Sequence, residues 1–92
     1  MVSFDDFRKM WEDDGFQLVE LDSREQDDLL WKLFHVTSPY LTADYGRHLV
    51  MVLVIDKKTK EILAHDMKNQ DLYRVNEIQW FESHVKEGLK LE

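Results

Sequence analysis

The chain has 92 residues, 43% of them hydrophobic, and a formal net charge of −7 at pH 7. This length fits one domain with one modest core. The lack of cysteine excludes disulfides, thiol nucleophiles and thiolate metal sites, and the lack of a basic stripe argues against a nucleic-acid partner.

The longest apolar run has seven residues, far fewer than the roughly 20 that span a bilayer. We therefore expect no membrane partner and a soluble, cytoplasmic protein. A single domain is predicted over residues 1–90, and residues 91–92 are interpreted as a cloning remainder.

The charge is concentrated near the N-terminus, where residues 1–28 hold ten acidic and three basic side chains. One interpretation is that this acidic surface keeps a small protein soluble. The alternative is a surface for a basic protein partner. The acidic partner face predicted on that basis consists of Asp13, Asp14, Asp27 and Asp28.

The first predicted helix begins after Ser3, a good N-cap with Asp6 at the capping-box position. Its apolar stripe comprises Phe4, Phe7, Met10 and Trp11. Gly15 suits the left-handed position that ends a helix.

Residues 16–21 alternate as in a strand, and residues 22–28 are predicted to be a polar connection. Residues 29–37 fit either a helix or a strand. The strand is favoured because the segment ends in β-branched residues and runs into Pro39, which cannot donate to a β-ladder. Residues 38–48 are predicted to be a long loop.

Residues 49–55 are all apolar and predict a central strand buried on both faces. The turn at 56–60 and a strand from Glu61 complete a hairpin, with Lys60 at a position of positive φ. If Asp56 faces Glu61, one sheet face carries Leu49, Met51, Leu53 and Ile55 beside Ile62 and Ala64. The other face then carries Val50, Val52, Val54, Leu63, His65 and Met67.

Two apolar faces allow two arrangements. Either the two helices cover opposite faces, or they share one face and the valine face meets a second copy of the chain. We favour the second, a homodimer through a sheet face or edge, because those side chains are too apolar to remain in water.

The last helix is predicted to start at Asn76 as N-cap, to present Ile78, Phe81 and Val85 to the sheet and to stop at Gly88. The order is α-β-β-β-β-α. The predicted fold class is α+β, with a mainly antiparallel four-stranded sheet packed by the N- and C-terminal helices.

The predicted loop mixes aromatic and charged residues suited to holding a partner or an anionic group. These are Tyr40, Asp44, Tyr45, Arg47 and His48. The four histidines show no metal-binding spacing and the three glycines stand alone, so neither a metal nor a nucleotide cofactor is expected.

The predicted function is non-catalytic protein–protein interaction of a regulatory or adaptor type, by a homodimer. One alternative is a small enzyme or ligand-binding protein with its pocket near the 38–48 loop. A second alternative is a structural subunit of a larger assembly.

Overall fold

The computed structural model describes residues 2–37, 47–71 and 74–88, with side chains described at all of these except 47, 48, 69–71 and 74–76. Two helices and one four-stranded antiparallel sheet form an α+β fold, which confirms the predicted class. The strands lie side by side in chain order. The elements are α1 (Phe4–Asp13), β1 (Gln17–Gln26), β2 (Leu29–Thr37), β3 (Arg47–Asp56), β4 (Ile62–Asp71) and α2 (Arg74–Glu87).

Helix α1 begins and ends where its sequence signals predict. Ser3 is the N-cap, and its hydroxyl oxygen accepts the backbone N–H of Asp6 at 3.2 Å. Gly15 has a φ of +92°, and its N–H donates to the carbonyl of Glu12 at 3.0 Å. These local hydrogen bonds satisfy backbone groups that a helix end leaves unpaired.

The polar connection predicted over residues 22–28 was wrong, because β1 continues through it to Gln26. Only Asp27 and Asp28 form the turn, and Asp27 adopts a positive φ of +56°. The segment is polar because β1 is an edge strand with most of its residues exposed. The strand predicted over residues 29–37 is confirmed as β2.

The β3–β4 turn is held by Asp56. Its carboxylate Oδ1 accepts the backbone N–H groups of Thr59 at 3.2 Å and Lys58 at 2.8 Å. These bonds favour the ionised form and lower the pKa of Asp56. Lys60 follows with a φ of +64°, as predicted from its position.

Replacing Lys60 by glycine should raise the free energy of unfolding by about 0.5–1 kcal/mol, because glycine adopts this φ without a Cβ clash. Urea unfolding of both proteins measures the difference. Lys58→Gly is the matched control in the same turn, at a residue whose φ is not positive, and should lower stability. A loss of stability in Lys60→Gly would contradict the strain at this position.

The predicted hairpin register holds only next to the turn. Ile55 pairs with Ile62, but a bulge lies between this pair and the next, Val54 with Ala64. Beyond the bulge every residue of β4 is shifted by one, so Leu53 pairs with His65. A shift of one residue exchanges the two faces of a strand.

The bulge moves two residues off the valine face on which they were predicted. Met67 packs with the cluster under α1, and the His65 ring lies 5.9 Å from Phe7 of that helix. Ala64 takes their place beside the valines, and Leu63 at the bulge is 37% exposed. Leu63, His65 and Met67 therefore do not form a face with Val50, Val52 and Val54.

The two helices cover opposite faces of the sheet. Helix α1 covers the face of Phe34, Met51 and Leu53. Phe81 of α2 is fully buried on the other face, against the cluster that includes Val52. The homodimer was predicted because the valine face was expected to be open. That expectation was wrong, because Val50, Val52 and Val54 are buried within one chain.

Helix α2 starts at Arg74, two residues before the predicted N-cap, and Gly88 ends it with a φ of +78°. Phe81 and Val85 pack on the sheet as predicted, with Trp80 beside them. Ile78 is 41% exposed, so its place in the predicted stripe was wrong.

Two side-chain contacts join α2 to the edge strands. Arg24 Nη2 of β1 lies 3.0 Å from Glu82 Oε1, and His84 Nε2 lies 3.3 Å from Asp66 Oδ2 of β4. His84 Nε2 is buried and has no hydrogen-bond partner among the described residues. Arg24 and Glu82 are both about half exposed, so their ion pair adds orientation more than stability.

Both edge strands carry features that oppose further strand pairing. A bulge interrupts each, and an aspartate takes a neighbouring backbone N–H: Asp22 that of Ser23 at 2.8 Å, Asp66 that of Met67 at 2.9 Å. Bulges and edge charges are common protection against edge-to-edge association. A homodimer through a strand edge stays a prediction, and these features disfavour it.

Candidate functional site

The predicted binding loop lies mostly outside the described residues, which include neither Tyr40, Asp44 nor Tyr45. Arg47 and His48 begin β3 and pair with residues 71 and 70 of β4, so their assignment to a loop was wrong. A strand position fixes the backbone of both residues. A site that they form with the loop stays a prediction.

The four aspartates predicted to form one acidic face lie at opposite ends of β1. Asp13 and Asp14 end α1 shortly before the strand begins, and Asp27 and Asp28 form the turn after it. An extended strand rises about 3.3 Å per residue, so the two pairs are roughly 30 Å apart. This separation disfavours one acidic face that includes all four aspartates, and that face stays a prediction.

The charge at the β1–β2 turn is mixed. Lys57 donates its backbone N–H to the carbonyl of Asp28 at 3.0 Å, and its Nζ lies 3.0 Å from Glu25 Oε2. Lys58 and Lys60 belong to the same neighbouring turn. One of these three lysines, Lys57, therefore pairs with an acidic side chain of β1.

An open pocket of about 500 Å³ lies beside the C-terminal half of α1, next to the start of β1. Phe7 forms its buried wall and is 8% exposed, whereas Met10 is 56% exposed. The lining consists of Phe7, Met10, Trp11, Asp14, Phe16 and His65.

Ring contacts fix the walls of this pocket. The Trp11 and Phe16 rings meet edge to face with their centroids 5.0 Å apart, and Phe7 lies 6.1 Å from Trp11. The backbone N–H of Phe16 donates to the carbonyl of Trp11 at 3.0 Å, across the end of the helix. Packed rings of this kind give a preformed apolar surface.

The end of α1 next to the pocket is acidic, and one of its carboxylates, Asp14, lines the pocket. Glu12, Asp13 and Asp14 follow one another at the end of α1, whose last turn has no basic residue. Arg8 Nε lies 3.2 Å from Glu12 Oε1, while Arg8 Nη2 donates to the carbonyl of Leu18 at 3.2 Å. In the part of the chain that the structure describes, Asp13 and Asp14 have no ion-pair partner.

The chemistry available in the pocket is that of apolar binding. Asp14 and His65 are its two titratable residues, both exposed, and the rest of the lining is aromatic or methionine. General acid–base catalysis needs a group positioned within hydrogen-bonding reach of a reacting atom. The described residues include no cluster of three or more potential metal ligands and no helix able to span a bilayer.

Phe7, Met10 and Trp11 were predicted to form the apolar stripe of α1, and the pocket beside them was not predicted. The available signal was a helix that ends in three consecutive acids and a glycine, followed at once by Phe16. The turn at Gly15 brings Phe16 back against Trp11. The contact between Phe16 and Trp11 is a tertiary contact, and the spacing of apolar residues along the helix does not predict it.

Comparison with family models, curated proteins and solved structures found no match to this chain.

Proposed function

We propose that this domain is a non-catalytic regulatory or adaptor protein that binds another protein at the α1 pocket, where an apolar side chain of the partner enters. The observation that supports the proposal most strongly is the open aromatic pocket formed by Phe7, Trp11 and Phe16. The proposed location is the cytoplasm, in keeping with a chain that has no cysteine.

The physical support comes from the combination of exposed apolar surface and rigid walls. A solvent-exposed methionine next to packed aromatic rings gains free energy when a partner removes it from water. Methionine adapts to partners of different shape, and aromatic anchors in pockets dominate many interfaces. Both helices are already bound to the sheet, so the proposal needs no second copy of the chain.

A small apolar molecule is the second occupant to consider, since the volume falls within the range typical of small-molecule sites. The pocket is open at the surface, and its outermost residue, Met10, is more than half exposed. An open site of this kind suits a side chain presented by a larger surface. We therefore favour a protein partner.

Selection of a library of random short peptides, displayed on phage, tests the proposal. We expect the enriched peptides to share a large apolar residue. Met10→Gln should weaken their binding about three- to tenfold, because the loss of apolar contact amounts to about 1 kcal/mol. Titration of a labelled enriched peptide, followed by fluorescence anisotropy, measures this change.

Ile78→Gln provides the matched control. It makes the same kind of change at an exposed apolar residue of the other helix, and it should leave peptide affinity unchanged. Enrichment of peptides without an apolar residue, or equal effects of the two variants, would contradict binding at the α1 pocket. A small-molecule fragment that binds there when no peptide does would favour the second occupant.

A further inference from the structure

We infer that the partner segment is basic, with lysine or arginine close to the apolar anchor. This inference rests on the proposed function and adds the charge of the partner to it. Three observations support it: two aspartates at the end of α1 without an ion-pair partner among the described residues, a helix end that adds negative potential, and an acidic turn at the far end of β1 that serves for comparison.

Two of the three acidic side chains at the end of α1 have no ion-pair partner among the described residues. Arg8 is directed to Glu12 and to the carbonyl of Leu18, whereas Asp13 and Asp14 have no ion-pair partner among the described residues. Asp14 also lines the pocket itself. A cationic side chain next to the anchor in the partner segment would therefore reach a free carboxylate.

The end of α1 strengthens this negative potential. The last carbonyl groups of a helix carry the negative end of its dipole, where acidic side chains are unfavourable and cations are favourable. Glu12, Asp13 and Asp14 all lie there, without a basic residue in the last turn. Local repulsion of this kind is relieved when a cation binds, which favours basic partners over neutral or acidic ones.

The turn at Asp27 and Asp28 supplies the contrast. It also carries two adjacent aspartates, and Lys57, whose backbone N–H donates to the Asp28 carbonyl, places its Nζ 3.0 Å from Glu25 Oε2. Its distance from the pocket is roughly 30 Å along β1, whereas the Debye length is about 10 Å at 0.1 M salt. Charges at this turn are therefore screened from a peptide held in the pocket.

Two double variants with the same total charge distinguish the effect of charges beside the pocket from the effect of the net charge of the protein. Asp13→Asn with Asp14→Asn, and Asp27→Asn with Asp28→Asn, each remove two negative charges at exposed positions. The random peptide library is selected on the wild type and on both variants. The readouts are the frequency of apolar residues and the mean net charge of the enriched peptides.

We expect apolar residues to be enriched on all three proteins, and net positive peptides on the wild type and the Asp27/Asp28 variant. The Asp13/Asp14 variant should lose the positive bias and bind a wild-type-selected peptide about three- to tenfold more weakly at 0.1 M salt, a difference that shrinks at 0.5 M. Equal charge preferences on the two variants would overturn the basic partner while leaving an apolar anchor in place. Failure to enrich apolar residues on any protein would overturn the proposed function itself.

Discussion

Replacing Phe81 by alanine should lower the free energy of unfolding by about 3–5 kcal/mol, as expected for a buried phenylalanine. Phe81 is fully buried and is the one buried hydrophobic residue of α2 in the described part of the chain. A chain of this length has a total stability of about 5–14 kcal/mol, so the loss is a large fraction of it. Urea unfolding followed by circular dichroism measures the change.

Loss of Phe81 should also loosen α2 and uncover the valines beneath it. Sedimentation of the variant then tests whether the uncovered face self-associates. Ile78→Ala is the control in the same helix, and its 41% exposure predicts a loss of less than about 1 kcal/mol. Equal losses in the two variants would contradict the packing of α2 through Phe81.

Replacing Phe34 by alanine should produce a loss of similar size on the opposite face, about 3–5 kcal/mol. Phe34 is fully buried under α1, and its ring stacks on that of Phe4 with centroids 5.7 Å apart. The cavity left by the ring would lie within the core cluster under α1. The same unfolding measurement applies.

A double-mutant cycle gives this prediction its control. Phe4→Ala, Phe34→Ala and the double variant together should show a coupling of about 0.5–1.5 kcal/mol, the range for aromatic pairs in contact. Val19→Ala on the exposed edge of β1 should cost much less than either. Additive losses at Phe4 and Phe34 would mean that α1 does not pack on β2 in this way.

Local signals in the sequence predict the helix ends because capping is local physics. Ser3 and Gly15 bound α1 through hydrogen bonds to residues three or four positions away. Gly88 ends α2 for the same reason, donating its N–H to the carbonyl of His84 at 2.8 Å. The apolar run at 49–55 predicts a strand buried on both faces, which the structure confirms.

The sequence does not reveal features that depend on strand pairing. The bulge in β4 changes which residues share a face, and its position follows from the turn and the packing rather than from the alternation of side chains. Edge position lets β1 continue through polar residues that resemble a loop. Helix α2 covers the valine face because the chain after β4 leads it back to that side of the sheet. The spacing of apolar residues within the helix does not specify this side.

The excess of acid near the N-terminus allowed a basic partner as one of two interpretations. Only the fold shows that Asp14 lines the pocket beside α1 and that Asp27 and Asp28 lie at the other end of β1. The pocket itself forms where the chain turns at Gly15 and packs Phe16 on Trp11. Phe7, Met10 and Trp11 resemble core residues in the helical pattern, and in the folded chain they also line this pocket.

The three tryptophan indole N–H signals provide the most direct test of binding at the α1 pocket. Trp11 lines the pocket, Trp31 is 3% exposed under α2, and Trp80 belongs to α2. In ¹H–¹⁵N correlation spectra, titration with a peptide enriched on the wild type should shift the Trp11 signal and leave Trp31 and Trp80 in place. A bound peptide that shifts Trp80 and leaves Trp11 unchanged would contradict the account.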